Sequence, residues 1–367
     1  MENGASGTRY MSLALRLAQR ARGQTSPNPA VGAVLVRRGR IVGTGYHRRA
    51  GGHHAEVEAL RRAGTKARGA TLYVTLEPCN HTGRTPPCCD AVLRAGVSDV
   101  VAATRDPNPR TNGRGFARLR QAGVRVRTGL LGPAARNLNA PFEKAMRTGL
   151  PLVIGKVGQS LDGKIATVAG QSRWITSRAA RRDAHRQRAQ VDAILIGINT
   201  ALADDPRLSV RGIAHRQDRP VKVIVDSRLR AHPRLQCLRG APAIIATTVR
   251  KPGQARALAQ AGAEVWVVPG RAGRVSLTAL CRRLAARGLQ SVLIEGGGEV
   301  LASAVHERLL DRVVWYIEPV LLGGRAAPGA LGGAGVAQLA KAARLRDVTV
   351  RRLGTTVCLT GRVVYPR

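Results

Sequence analysis

Six soft ligands lie between residues 53 and 89: His53, His54, Cys79, His81, Cys88 and Cys89. A catalytic zinc needs three protein ligands and keeps a fourth position for water. Such an ion makes hydroxide available near neutral pH, ready to attack an amidine carbon. A hydrolytic deaminase also needs a carboxylate to carry protons to the ring nitrogen and the leaving ammonia. The general pattern is H-x-E followed by P-C-x-x-C. His54-Ala55-Glu56 supplies the first part, and Pro78-Cys79 opens the second. H-x-E alone is common by chance; joined to the E-P-C segment Glu77–Cys79 it becomes specific. The departure is the spacing, because the eight residues Asn80–Pro87 separate Cys79 from Cys88. At this point the residues leave open which three ligands bind.

Helices and strands must hold these groups. "RYMSLALRLAQRAR" (residues 9–22) has helical spacing of its apolar residues, and "VGAVLV", "RRGR", "IVGTGYH" reads as a hairpin. A helix starts near His54, "ATLYVTL" is a buried strand, and a second helix runs from Pro87 through Ala95. Both parts of the motif therefore fall at helix starts, where amide dipoles stabilise thiolates. Glu56 and Glu58 point about 200° apart on a helix, so only one can face a metal. "DVVAAT", a helix around Arg114–Ala122 and "VRVRTG" complete an α/β layer sandwich.

"TGLP" (Thr148–Pro151) punctuates the chain and divides it into residues 1–149 and 150–367. The second part alternates strands ("AILIG", "VKVIVD", "AIIAT", "EVWVV", "SVLIEG", "RVVWYIEP") with helices near 177–189, 276–287 and after Gly298. Leu321–Gly335 is a long glycine-rich loop, expected to be mobile, and 348–365 reads as two strands. No internal repeat links the halves. No G-x-G-x-x-G follows a strand, so a Rossmann site is not indicated. "LIEGGGEVLAS" is instead a strand, a glycine turn and a helix whose N-terminal amides suit a phosphate.

A chain of 367 residues, 44% apolar, suits two domains. It shows no signal-peptide core and no apolar run near the roughly 20 residues of a membrane helix. Three of the six cysteines are clustered and three scattered, which suits a metal site in a reducing cytoplasm. The net charge is +38. A nucleic-acid interface would explain it, but the arginines are spread along the chain. Aromatics at 3% also leave few platforms for stacking bases. Solvated arginine faces and a phosphorylated small substrate are the expectation instead, with no membrane and no nucleic acid as partner.

"NPAVGAVLV", "HAEVEAL" and "TLEPCNHTGRTPPCCDA" resemble the deaminase half of the bifunctional riboflavin-biosynthesis deaminase/reductase family. That family carries the longer insert between its cysteines, unlike cytidine and tRNA-adenosine deaminases. "GKVGQSLDGKIA", "SRWITS", "LADDPRLSVR", "VIVDSRLR" and "LIEGGG" resemble its reductase half, in order. The resemblance implies a cytidine-deaminase-like three-layer α/β/α domain followed by a dihydrofolate-reductase-like α/β domain. It makes His54, Cys79 and Cys88 the ligands of one Zn2+ per chain and Glu56 the catalytic proton shuttle. Asn28, His47, His81 and Arg84 would then bind the deaminase substrate.

In the second half it implies NADPH, with Gly158, Trp174, Thr200, Asp204, Ser227 and Glu295 on the cofactor side. Lys156, Ser172, Arg188, Leu208 and Arg211 would face the phosphoribosyl group. The implied reactions are deamination of 2,5-diamino-6-(5-phosphoribosylamino)pyrimidin-4(3H)-one, then reduction of its ribosyl group to ribityl. The product would be 5-amino-6-(5-phosphoribitylamino)uracil, made by a homo-oligomer in the cytoplasm. One position departs from the family: Glu58 stands where histidine is usual.

Overall fold

Two apolar strands, β1 (Gly32–Arg37) and β2 (Arg40–Tyr46), start the first sheet. Arg38 and Gly39 join them with φ of 50° and 72°. That is the paired left-handed geometry whose twist matches a two-residue hairpin. The computed structural model describes residues 4–83, 85–213 and 220–366; Arg84 lies outside them. The chain divides into two compact units, Met1–Gly149 and Leu150–Arg367.

The first unit adds β3 (Thr71–Val74), β4 (Asp99–Ala102) and β5 (Arg125–Thr128) in the order β2-β1-β3-β4-β5. β1 pairs antiparallel with β2 and β3, and β3, β4 and β5 run parallel. Alternation along β1 builds two cores. Ala33 and Leu35 pack with Ala59, Leu72 and Phe116, while Val34 and Val36 pack with Tyr10, Met11 and Tyr73. Helices α2 (Ala55–Ala63), α3 (Cys88–Arg94) and α4 (Arg114–Gln121) serve the first core. Helix α1 (Gly4–Gln19) and α5 (Gly132–Leu138) serve the second, followed by α6 (Ala140–Thr148). The result is a three-layer α/β/α unit. Helix α1 begins earlier than its apolar spacing suggests, and α5 and α6 are additions to the sequence reading.

The second unit is a nine-stranded sheet. Its strands are β6 (Leu152–Ser160), β7 (Ala193–Gly197), β8 (Val221–Val225), β9 (Ala243–Thr247) and β10 (Ala263–Val267). β13 (Ser291–Glu295), β14 (Leu310–Glu318), β15 (Arg344–Leu353) and β16 (Thr356–Val364) complete it. A short hairpin, β11 (Gly270–Arg271) and β12 (Arg274–Val275), stands apart. The order is β10-β9-β8-β7-β13-β6-β14-β16-β15, parallel as far as β14 and antiparallel through β16 and β15. Helices α7 (Arg178–Arg188), α8 (Ile198–Asp204), α9 (Pro252–Gln260), α10 (Leu277–Ala286) and α11 (Gly298–His306) join the strands.

The Leu321–Gly335 segment is irregular but tied down. Ile165 N donates to Pro328 O, Ala330 N to Gly163 O and Gly332 N to Gly298 O. Among the described residues, no helix is long and apolar enough to cross a membrane.

Candidate active sites

Helix α2 lies hard against β2 because Gly45 has no side chain. A Cβ there would come within 2.2 Å of Ala55 O. The contact fixes the helix start, with His54 extended just ahead of it (φ −71°, ψ 161°) and Glu56 in its first turn. Helix α3 begins at Cys88, and Pro87 lies just before it rather than in its first turn. Cys79 comes from the irregular segment after β3.

These elements bring three ligands together. The ligand atoms of His54, Cys79 and Cys88 all lie within 4.8 Å of one another. His54 Nδ1 is 3.1 Å from Cys88 Sγ and 3.6 Å from Cys79 Sγ. Tetrahedral zinc, with Zn–N of about 2.0 Å and Zn–S of about 2.3 Å, separates N from S by about 3.5 Å. The donor set fits that ion. Hydrogen bonds from the Cys88 thiol, His54 and the Cys88 backbone push the Cys79 thiol down to about 4, against its burial.

Glu56 is 3% exposed, and burial pushes its carboxyl up to about 7, with His54 opposing. Glu58 is half-buried and lies 3.8 Å from Arg61. The surplus ligands have other places. His53 is exposed, and the buried Cys89 thiol donates to Pro78 O and Gly115 O.

His47 is 2% exposed, with its ring edge-on to His54 at 5.2 Å between centroids. Its Nδ1 is 3.0 Å from His53 O and its Nε2 is 3.1 Å from Asn28 Nδ2. A carbonyl only accepts, so Nδ1 carries the proton and Nε2 accepts from Asn28. The Asn28 oxygen is then turned away from the histidine. His81 Nδ1 lies 3.4 Å from Thr111 Oγ1, and Thr85 Oγ1 lies 3.3 Å from His54 Nε2.

Sequence reasoning overlooked Glu77, whose one signal was its place in E-P-C. Buried, it accepts from the backbone N–H groups of Asp106, Gly113 and Phe116, and so holds the segment that carries Thr111.

In the second unit a cavity of 510 Å³ is lined by Lys156, Gly158, Ser172, Trp174, Arg188, Thr200 and Asp204. Ser172 Oγ donates to Asp204 Oδ1 at 2.8 Å. Glu295 is buried behind it, gripped by Arg188 through two bonds of 2.7 and 2.6 Å, with Lys156 Nζ at 3.5 Å. Burial alone would raise the Glu295 carboxyl, but Arg188 and Lys156 override it and hold it at about 2. Gly296 and Gly297 also line the cavity, in the turn ahead of α11.

Four expected residues do not line this cavity: Glu295, which lies behind Lys156 and Arg188, and three that lie elsewhere. Leu208 and Arg211 line a separate cavity of 400 Å³ with Arg207, Lys222 and Arg239. Arg188 still reaches that segment, donating to Ser209 O at 3.0 Å. Ser227 is not among the residues lining either cavity. Its hydroxyl accepts from Val275 N at 3.0 Å and its carbonyl accepts from Thr247 and Thr248, so it ties strands together. Arg173, Arg181, His185 and Asn199 line the larger cavity without a sequence signal that singled them out.

Comparison with known proteins covers both units. Residues 5–104 match the cytidine and deoxycytidylate deaminase zinc-binding region, and residues 151–359 match the RibD C-terminal domain. The riboflavin biosynthesis protein RibD of Escherichia coli is 43% identical over 95% of this chain and 97% of its own length. Acinetobacter baumannii RibD superposes with a TM-score of 0.89 at 37% identity, covering 99% of this chain and 100% of that one. The diaminohydroxyphosphoribosylaminopyrimidine deaminase/5-amino-6-(5-phosphoribosylamino)uracil reductase of Thermotoga maritima gives 0.85 at 32% identity, over 98% and 99% of the two chains. This chain therefore belongs to the RibD family of riboflavin biosynthesis proteins, as an enzyme with a deaminase and a reductase domain.

Proposed function

We propose that Met1–Gly149 deaminates 2,5-diamino-6-(5-phosphoribosylamino)pyrimidin-4(3H)-one. Leu150–Arg367 then reduces the product with NADPH to 5-amino-6-(5-phosphoribitylamino)uracil. The observation that carries this reading is the convergence of His54, Cys79 and Cys88 beside the buried Glu56. Zinc bound by those three would acidify a water in its open position.

Glu56 takes one proton from the water and delivers it to the ring nitrogen. It then takes the second from the new hydroxyl on the carbon and delivers it to the departing amine. A C–O bond forms, the C–N bond breaks and ammonia leaves. Asn28 meets the pyrimidine through its oxygen, because His47 occupies its amide. His81 and Arg84 serve the phosphate, whose oxygens match a guanidinium fork.

In the second unit NADPH, when bound, would supply a hydride for the sugar carbon bearing the amine. The protein's own part would be to align donor with acceptor and to bring a proton to the ring oxygen as that C–O bond opens. Gly158, Trp174, Thr200 and Asp204 take the dinucleotide. Lys156, Ser172 and Arg188 take the sugar, with Glu295 fixing Lys156 and Arg188 from behind. Leu208 and Arg211 serve the phosphate end, and Ser227 supports the fold rather than the ligand.

The test incubates the purified chain with the substrate, zinc and NADPH. Ammonia release followed by NADPH oxidation is the expected result. Neither signal appearing would overturn the reading.

A further inference from the structure

Arg181 has no part in the two reactions above, yet it lines the reductase cavity with Gly158, Trp174 and Thr176. Its base is fixed. Ser177, the cap of α7, accepts from Ala180 N at 3.2 Å and donates to Leu353 O at 2.6 Å. The Ser177 N–H reaches Glu318 Oε2 and Thr356 Oγ1, so the helix start is anchored to β14 and to both strands of the C-terminal hairpin. One turn on, Arg181 folds back over the segment that leads into the helix. Its guanidinium donates to the Thr176 carbonyl and lies over the Trp174 ring, 4.4 Å from the centroid.

That ring needs holding. Trp174 has φ of 71°, in the left-handed region that bulky side chains avoid, and is 72% exposed. Thr176, gripped by the same guanidinium, rests against Gly158, where a Cβ would come within 3.1 Å of its methyl. One cation thus fixes two pieces of the cavity wall. With Arg181 against the indole and the residue still largely exposed in the cavity wall, ring surface remains for a planar ligand ring.

The geometry points to Arg181 as a positioning residue that clamps Trp174 so that its indole stacks on a planar ring of the dinucleotide. The inference rests on the assignment of this cavity to NADPH. The test is calorimetric titration of the full chain with NADPH and with NADH. It uses the wild type, Arg181→Ala, Arg181→Lys, Trp174→Ala and the Arg181→Ala/Trp174→Ala pair. Loss of a stacked cation–π contact should weaken binding of both dinucleotides about 5-fold in Arg181→Ala. Arg181→Lys, which keeps the charge but not the planar fork, should show a smaller loss in the same direction. In the Trp174→Ala background, removing Arg181 should cost nothing further. Ammonia release should be unchanged in every variant, which reports an intact first unit, and an unchanged thermal transition of the second unit reports that it is folded.

An equal loss in both backgrounds would overturn the clamp, since Arg181 would then act without Trp174. So would a loss confined to NADPH, which would mark direct contact with the additional phosphate. Unchanged binding in Arg181→Ala overturns the clamp alone. A wild-type chain that binds neither dinucleotide overturns the cavity assignment and the clamp with it.

Discussion

Two neighbouring cysteines show how little separates a ligand from a bystander. Cys88 and Cys89 are adjacent and both buried, but on a helix start they point about 100° apart. Cys88 Sγ meets His54, whereas Cys89 Sγ is spent on Pro78 O and Gly115 O. Cys88→Ser should therefore empty the zinc site, while Cys89→Ser keeps stoichiometric metal, as measured by metal content of the purified variants. Equal metal loss in both would mean the ligand set is wrong. Glu56→Gln keeps the shape of the side chain but cannot shuttle a proton. It should slow ammonia release by about 10²–10⁴-fold, while NADPH oxidation on supplied deaminated product persists.

At the scale of elements, the reductase cavity depends on an ion cluster that joins β6, α7 and β13. Glu295 on β13 holds Lys156 from β6 and Arg188 from α7. Its carboxyl is depressed from the ordinary range to about 2. A depressed carboxyl stabilises the fold at any pH above its unfolded value, near 4.5. That contribution, about 3 kcal/mol, fades as pH falls from about 5 toward 2. Wild type should lose this much stability on acidification, and Glu295→Gln should lose less, in denaturant melts at a series of pH values. At pH 7 the same variant leaves Arg188 and Lys156 without their buried partner, which should cost about 3–5 kcal/mol.

Elements with a regular apolar pattern, such as β1 and β7, were legible in the sequence. Helices α5, α6 and α9 were not. Each opens with proline in its first turn, and their buried faces are thin, with Leu258 the one buried residue of α9. Strand β15 begins earlier than expected because it is an exposed edge rich in arginine, with little apolar alternation to read. The His54, Cys79 and Cys88 cluster was legible only through the family resemblance, because the residues alone left open which three of six would converge. Glu77, Ser227 and Arg181 were not, because their roles arise from contacts made only in the folded chain.

For the whole molecule, two units carry two chemistries on separate cores. The first is built around Leu35, Leu72 and Phe116, and the second around Leu195, Ile244 and Ile294. Only the first brings a His/Cys/Cys cluster together among the described residues. Metal removal should therefore act on one unit. A chelator should abolish ammonia release while leaving NADPH oxidation on supplied deaminated product unchanged. It should also lower the thermal transition of the first unit alone, because a ligand that binds only the folded state stabilises it by mass action. Restoring zinc should return both the ammonia signal and the transition. Loss of both reactions on chelation would show that the reductase unit also depends on the metal. The charge of +38 gives a further discriminating condition. If its role is to attract a phosphorylated substrate, raising salt should raise KM through screening while leaving kcat little changed. A chain built for RNA would instead bind RNA tightly, with steep salt dependence. Weak RNA binding near physiological salt, beside a salt-sensitive KM, is the expected outcome.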